Sequence, residues 1–472
     1  MTFNNDLPAS KVNAREKLVI DYSAIVTLAF PLFLDSLTYI LINLTDTWFV
    51  GRISTDATAA VGAINWLIFV CIMIFGCIGV AVQTQVSQAY GSGNLIKAGK
   101  ITWMGIWAAG LTIPIYGFLA THGAVILAPF GLESQIESAA LLYWFPRMLG
   151  GSIVVADWTL RGFFNAINRT QLVFIVSAIV CVLNPILNQL FIFQLGWGIA
   201  GAAWATTVSQ TIGLIVLFWL YLRPKMRQIY QVHRCWHPRI KSIWQVMRRG
   251  VFTGLFMGSD LIGLAFFQMM QAELGVAPGA ATQIAMTLLA FAYQAVVGFG
   301  EAGIILVGQS LGAGNQAWAK RIGNAIIQLS AIYMVLFGLS LAILGKWVIA
   351  PFVNITDSHA MEVMAIAPKL LWIAASYQLF HALVIASTFC LQGAGDVKFP
   401  AIVALIISLL GFVPLAHILS FKANQGFVNF LPQFGFGVWG GWFAYALYVI
   451  VLGIILWKRW QFKGNFENFA AK

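Results

Sequence analysis

The sequence predicts an all-α integral membrane protein of about 12 transmembrane helices in two homologous six-helix lobes. Hydrophobic residues make up 60% of the chain and charged residues only 9%, too few to solvate a soluble globule of 472 residues. Residues 307–315, VGQSLGAGN, repeat residues 86–94, VSQAYGSGN, at an offset of 221. Residues 435–440, GFGVWG, echo residues 196–201, GWGIAG, at an offset of 239. Two landmarks in the same order indicate a duplicated chain with loops of unequal length.

The predicted spans are apolar runs of roughly 20 residues, the length that crosses about 30 Å of hydrocarbon. The runs are continuous rather than alternating, which is typical of helices. They lie near 24–49, 58–83, 101–121, 138–160, 171–193, 199–222, 250–273, 280–307, 322–345, 366–391, 400–420 and 437–457.

The basic residues predict the orientation. Twelve spans place both termini and the central linker on one side, and 22 of the 27 Lys and Arg residues fall there when Arg161 and Arg169 are counted with that side. The positive-inside rule makes this side cytoplasmic, in a bacterial-type inner (plasma) membrane. The predicted divisions are a cytoplasmic tail at 1–19, an N-lobe at 20–222, a basic linker at 223–249, a C-lobe at 250–457 and a cytoplasmic tail at 458–472. The basic residues of the linker are interpreted as determinants of membrane orientation, in preference to a binding site for nucleic acid or anionic lipid.

Polar groups in the first half form one candidate site, because a charge at bilayer depth is costly unless it is paired, hydrated or protonated. Asp46 lies in the oxygen-rich run NLTDT near the outer end of span 1. It suits either a Na⁺ site or a proton carrier, and a carboxylate at a helix end is the alternative. Asn184 and Asn188 lie one turn apart around a proline in span 5, and span 6 adds Thr206. Ordinary interhelical hydrogen bonding is the alternative for these three.

The second half offers a different candidate set. Asp260 lies about ten residues into span 7, and Tyr377 and His381 are spaced to share one face of span 10. A buried Asp near a His forms a proton-titrating pair in one interpretation and a structural contact in the other.

Three further intramembrane acids have no assigned role: Asp35, Asp157 and Glu301. A network of Asp35 and Asp157 with Asp46 is one hypothesis. Glycines around Glu301 make a buried, hydrogen-bonded carboxyl as reasonable as a functional one.

Motifs of other functional classes are absent from the sequence. It contains no Asp-x-x-x-Asp pair for Mg²⁺, no His-Glu-x-x-His zinc motif and no phosphate-binding Gly-x-x-x-x-Gly-Lys-Ser/Thr loop. Five cysteines show no metal or disulfide spacing. We therefore expect a transporter rather than an enzyme, with no metal or cofactor beyond a coupling ion, H⁺ or Na⁺, drawn from a gradient.

Several ordered motifs resemble those of the multidrug and toxic compound extrusion (MATE) family. Residues 46–51, DTWFVG, resemble its first-helix signature, and residues 88–94 resemble the loop that follows. Arg161-Gly162, Asn184-Pro185, 196–210 and QGAGD at 392–396 also fall where that family has motifs, so the resemblance covers roughly 20–457. It implies a V-shaped pair of lobes that exports small organic, cationic or amphipathic substrates in exchange for inward H⁺ or Na⁺. The expected protein is a monomer in the bilayer that binds no nucleic acid.

The resemblance also assigns sites. Its N-lobe cation site falls on Asp46, Asn184, Asn188 and Thr206, and a C-lobe site of one branch falls on Asp260, Tyr377 and His381. The family commonly has an aspartate where this chain has Asn188, and that branch has an acid where this chain has His381. Both departures favour proton over Na⁺ coupling.

The alternative within the same superfamily is a flippase for lipid-linked oligosaccharides. Such a protein needs a basic cavity for pyrophosphate, and here only Arg147 and Arg161 are expected near span ends, with no cation at a span centre. Export of organic compounds is therefore favoured.

Overall fold

The computed structural model describes residues 7–13, 16–131, 133–353, 358–428 and 430–462. Within these ranges the chain is helical apart from loops and one antiparallel hairpin, formed by β1 (Ser10–Val12) and β2 (Leu18–Ile20). The hairpin lies in the segment predicted as a polar tail, where the sequence pattern indicated no strands. Residues 1–6, 14–15 and 463–472 of the two predicted tails lie outside the described residues.

Helices follow one another with short connections. The first half contains α1 (Tyr22–Gly51), α2 (Thr55–Gly76), α3 (Ile78–Gly91), α4 (Leu95–Leu111), α5 (Ile113–Thr121), α6 (Gly123–Leu127), α7 (Ser134–Leu149), α8 (Gly151–Ala166), α9 (Thr170–Asn188) and α10 (Gly198–Tyr221). After α11 (Pro224–Tyr230), the second half contains α12 (Ile240–Glu273), α13 (Val276–Gly312), α14 (Gln316–Ile343), α15 (Gly345–Ile349), α16 (Ala360–Gly393), α17 (Lys398–Leu405), α18 (Val413–Ser420) and α19 (Val438–Phe462).

The number of membrane-crossing helices agrees with the prediction. Among the described residues, 11 helical segments are long and apolar enough to cross a bilayer, or 12 if α7 and α8, which meet at a bend of 42°, form one span. Helix α12 begins at Ile240, inside the predicted linker, and α13 extends to Gly312, past the predicted span. Hydropathy marks only the part of a helix that lipid accepts, whereas the backbone hydrogen bonds continue into polar sequence.

The repeated motifs adopt the same backbone conformation in both halves. Gly93 and Gly314, at the offset of 221, have φ of 71° and 77°. Gly198 and Gly437, at the offset of 239, have φ of 54° and 59°. This left-handed region favours glycine, which explains why the motifs keep glycine at these positions.

The first repeated motif also contacts its own copy. A Cβ on Gly91, at the end of α3, would overlap the backbone of Gln309 in α13. A Cβ on Gly312 would overlap the backbone of Gln88 in the same way. The contact is reciprocal, because each glycine of one copy meets the glutamine of the other.

The chain forms two compact units. The first contains Thr27–Gly254 and Ile304–Asn315, and its core includes fully buried Tyr116 and Trp144. The second contains Ala9–Val26, Leu255–Gly303 and the chain from Gln316 onward, with α16 packed against α14 and α19. The predicted lobe and linker boundaries stay a prediction.

Candidate functional site

Four polar side chains in the first unit form a closed hydrogen-bonded ring around Asp46. Asn188 Nδ2 donates to Asp46 Oδ1 at 2.7 Å and to Asn184 Oδ1 at 3.1 Å. Asn184 Nδ2 donates to Thr206 Oγ1 at 3.2 Å, and Thr206 Oγ1 lies 2.6 Å from Asp46 Oδ2. All four residues are buried, with exposures of 5% or less. The structure thus brings together the N-lobe residues that the sequence nominated, and we call them the Asp46 ring.

The oxygen donors close to Asp46 in sequence do not join the ring. The side chains of Asn43 and Thr47 are exposed and that of Thr45 is half-buried, and all three bond to backbone carbonyls one turn earlier in α1. That part of the sequence interpretation was wrong, because neighbours along a helix point to different faces. The partners of Asp46 come from α9 and α10 instead.

Local backbone structure places the amides. Pro185 interrupts the hydrogen bonding of α9, and a wider π-helical turn at Gln189–Gln194 follows Asn188 directly. Asn184 and Asn188, one turn apart, both face Asp46. Asn188 Oδ1 is buried with no hydrogen-bond partner, so the ring retains one unused oxygen.

A second polar cluster in the first unit surrounds Arg161. Arg161 Nε donates to Asp157 Oδ2 at 2.5 Å, and Nη1 donates to Asp35 Oδ1 at 2.9 Å. Ser177 Oγ contacts both Arg161 Nη1 and Asp35 Oδ1. The three charged residues are at most 8% exposed. We call Asp35, Asp157, Arg161 and Ser177 the Arg161 cluster.

The Arg161 cluster adds contacts that the sequence did not predict. Arg161, which was counted near a span end with the cytoplasmic cations, lies in the last turns of α8 and is buried between two carboxylates. A network of Asp35 and Asp157 with Asp46 was one hypothesis; here the two acids bind Arg161, whereas Asp46 binds Asn188 and Thr206. Asp35 precedes Asp46 by three helical turns, about 16 Å at 1.5 Å per residue, which separates the clusters.

In the second unit, Asp260 and His381 line one cavity. Tyr448 Oη donates to Asp260 Oδ1 at 2.7 Å. Within the described ranges no ion pair joins Asp260 to His381, although both side chains line this cavity, so the titrating pair, which was one of the two sequence interpretations, stays a hypothesis. The other lining residues are aromatic, aliphatic or hydroxyl-bearing: Phe256, Met257, Tyr293, Val384, Ile385, Thr388, Phe389, Tyr445, Tyr448, Val449 and Leu452.

The remaining candidates, Tyr377 and Glu301, are not among the residues that line this cavity. The ring of Tyr377 lies 6.4 Å from that of His381, as their shared helix face predicted, but its buried hydroxyl has no hydrogen-bond partner. Glu301 lies within α13 and is partly buried.

Sequence reasoning missed the aromatic wall of the cavity. Tyr293 lies 5.8 Å from His381 between ring centroids, and Tyr445 and Tyr448 lie 6.1 Å apart. One signal was available: Tyr445 occupies the repeat position of Thr206, at the offset of 239. The repeat therefore marks a site position in both halves.

The ordered motifs have a counterpart among known proteins. A family model, MatE, matches residues 31–190 and 261–416, more than half of the chain. This chain belongs to the MATE family. A probable multidrug resistance protein NorM of Pseudomonas syringae pv. tomato is 28% identical over 449 residues, which cover 93% of this MATE protein and 94% of that relative. The protein of the same name in Pseudomonas aeruginosa is 27% identical over 453 residues, with coverage of 94% and 90%.

Solved structures confirm the predicted MATE fold. A structure described as MATE in the bent conformation matches with a TM-score of 0.82 at 18% identity and covers 95% of this chain and 96% of its own. An outward-facing multidrug resistance MATE family transporter matches with a TM-score of 0.79 at 17% identity, with coverage of 93% and 94%.

Proposed function

We propose that this MATE protein is a secondary active efflux transporter that exchanges small organic substrates for an inward-moving ion, with the Asp46 ring as the coupling site. The observation that carries the proposal is the closed ring itself. It holds one buried carboxylate among neutral hydrogen-bond donors, and no Lys or Arg among the described residues forms an ion pair with it, although the charge of Arg147 acts on it from farther away. A buried carboxylate without a direct counter-ion gains free energy when it binds a positive ion.

The geometry suits a proton. While Asp46 is ionised, Thr206 Oγ1 donates to Asp46 Oδ2. The same hydroxyl lies 3.2 Å from the carbonyl of Ala202. When Asp46 takes a proton, Thr206 turns its hydrogen to Ala202 and accepts the new O–H of Asp46, so neither the hydroxyl nor the carboxyl loses a hydrogen bond when the proton binds. Proton binding then costs no buried unsatisfied donor.

The position of Asn188 bears on Na⁺. A hard cation prefers carboxylate oxygens, and the Asp46 ring contains one carboxylate where the family commonly has two. Asn188 also directs its Nδ2 donor, rather than an oxygen, at Asp46. We therefore favour H⁺, and Na⁺ is the outcome that the experiment below separates from it.

The side chains that line the cavity of the second unit are of the kind that bind an organic cargo. Its wall combines one carboxylate, Asp260, with the faces and edges of Tyr293, Tyr445 and Tyr448. A carboxylate and tyrosine rings both attract an organic cation, the second through the cation–π interaction. The relatives named multidrug resistance proteins support a substrate of this class. In this proposal His381 contributes a second titratable group to the cavity.

A flippase for lipid-linked oligosaccharides is less well supported. The buried Arg161 is bonded to two carboxylates and offers no free positive charge to a pyrophosphate. We further propose a monomer in a bacterial-type inner membrane with the N-terminus, linker and C-terminus cytoplasmic, on the charge distribution of the sequence. No cofactor or catalytic step is part of this proposal.

The decisive experiment is substrate–ion exchange in proteoliposomes, with a pH gradient and a Na⁺ gradient imposed separately. An organic cation such as ethidium serves as the probe. We expect the pH gradient to drive uptake into inverted proteoliposomes and the Na⁺ gradient to fail. Uptake driven by Na⁺ alone would overturn proton coupling, and uptake driven by neither gradient would overturn the antiport.

A further inference from the structure

The Arg161 cluster contains more negative than positive charge. Two carboxylates, Asp35 and Asp157, face one guanidinium, and Ser177 adds only a hydroxyl. If every group were ionised, the cluster would carry one excess negative charge in a buried site. An excess buried charge is strongly disfavoured, and a proton is the simplest species that removes it.

Among the described residues, including those of α2, α3, α4, α5, α7 and α10 that also pack against α8, the charges that act on Asp157 are those of Arg161 and Asp35. On α1 the titratable groups that face the cluster are Asp35 and Tyr39, whose ring lies 5.7 Å from the guanidinium. On α8 they are Asp157 and Arg161, and α9 contributes Ser177. The Tyr39 hydroxyl already accepts a hydrogen bond from Trp158 Nε1 at 3.0 Å.

One oxygen in the cluster has no donor. Asp157 Oδ1 is buried and has no hydrogen-bond partner, while Oδ2 accepts from Arg161. Helix α10 faces Oδ1 with Gly213, whose added Cβ would lie 3.8 Å from that oxygen and within 4 Å of Val180 and Val176. On the side of α10, therefore, the free oxygen faces apolar groups. Asp35 Oδ1, by contrast, contacts both Arg161 and Ser177.

We propose that the Arg161 cluster is a second proton-binding site, distinct from the Asp46 ring, and that it holds one exchangeable proton at Asp157. The proton belongs to the two coupled carboxylates as a pair, and the unbonded oxygen of Asp157 is its position. A metal cation fits less well, because the guanidinium occupies the space between the carboxylates and repels it. In transport, this proton would add to the one carried by Asp46, and that role rests on the proposed function. The presence of a proton in the Arg161 cluster does not depend on the proposed function.

The test counts titrating carboxyls without substrate. Infrared difference spectra of the purified protein, recorded between acid and alkaline pH, detect the carbonyl band of each protonated carboxyl that loses its proton. We expect Asp157→Asn to remove one such band and to leave a neutral pair of Asp35 with Arg161. Asp35→Asn should remove one band equally, because either change cancels the excess charge. Asp56→Asn, at an exposed position in α2, is the matched control and should remove no band of a buried carboxyl.

Each outcome bears on the proposal. A full set of bands in folded Asp157→Asn or folded Asp35→Asn protein would overturn it. If neither variant folds, the spectrum of Asp46→Asn/Asp260→Asn protein decides: with both intramembrane aspartates outside the Arg161 cluster removed, one band of a buried carboxyl must remain, and its absence would overturn the site. Asp157→Asn should also lower the number of protons exchanged per substrate by one. Loss of the infrared band with no change in that number would separate a proton site from a role in coupling.

Discussion

The two halves of this MATE protein share backbone features but hold their aspartates in different surroundings. Asp46 accepts hydrogen bonds from an amide and a hydroxyl inside a closed ring. Asp260 accepts one phenol hydroxyl and faces a cavity walled by aromatic rings. Thr206 and Tyr445 occupy equivalent positions of the repeat. In the first half this position holds a small hydroxyl that completes the Asp46 ring, whereas in the second half it holds an aromatic side chain that lines the cavity. The difference teaches that the two halves kept the same backbone features while their side chains built a closed ring in one and an aromatic-lined cavity in the other, which the proposed function assigns to ion and cargo.

The largest expected effect comes from a change in the Asp46 ring of the first half. Asp46→Asn should abolish gradient-driven export while the protein stays folded, because the amide keeps the shape of the carboxylate but cannot take a proton. The measurement is ethidium transport in proteoliposomes, with thermal unfolding as the check on folding. Thr206→Ser, which keeps the hydroxyl, is the control and should retain transport. Export at the wild-type rate by Asp46→Asn protein would remove this residue from the mechanism.

The next effect concerns the second half. Asp260→Asn should weaken the binding of a cationic substrate about tenfold and change that of a neutral substrate little, because only the cation loses an opposite charge. KM values for one cationic and one neutral substrate provide the measurement. Tyr448→Phe, which removes the donor to Asp260 but keeps the ring, should change both values slightly. Equal losses for both substrates would assign Asp260 to folding rather than to recognition.

A smaller effect sharpens the distinction between H⁺ and Na⁺. Asn188→Asp replaces the donor that faces Asp46 with a second carboxylate, and two like charges at that distance ionise together only around a cation. The variant should therefore bind Na⁺ about tenfold more tightly than the parent. Calorimetric titration with NaCl at constant ionic strength measures this. Tight Na⁺ binding by the parent itself would contradict the proposal that Asn188 biases the site towards protons.

The smallest expected effect tests what the halves kept in common. Gly91→Ala and Gly312→Ala should each destabilise the protein by about 1–3 kcal/mol, since both place a methyl group against backbone of the other motif. By the equivalence of the repeat, the two losses should be similar. Gly110→Ala, in α4, is the control, because an added Cβ there meets no atom within 4 Å. A loss in only one of the two variants would show that the contact is not equivalent.

Much of the fold followed from the sequence, because hydropathy and repetition are properties of long segments. The spans and the equivalent glycines needed no knowledge of packing. The Asp46 ring was predicted in its membership but not in its contacts, since Asn43 and Thr47 are closer in sequence than Asn184 yet point away. The burial of Arg161 was not predicted, because a single arginine near a span end is typical of a cytoplasmic cation. Its two aspartate partners come from α1 and α8, and their proximity is a feature of the tertiary structure. Contacts between helices that are distant in sequence produce no periodic pattern in the sequence.

The reciprocal contact of Gly91 with Gln309 and Gly312 with Gln88 has a consequence for the origin of the chain. A contact in which residue i of one copy meets residue j of the other, and j meets i, is the mark of a twofold interface between identical subunits. A polypeptide that contained one copy of the motif would carry both members of this contact, so two such polypeptides would form it as a homodimer. Joining the two copies in one chain makes the same association intramolecular and independent of subunit concentration.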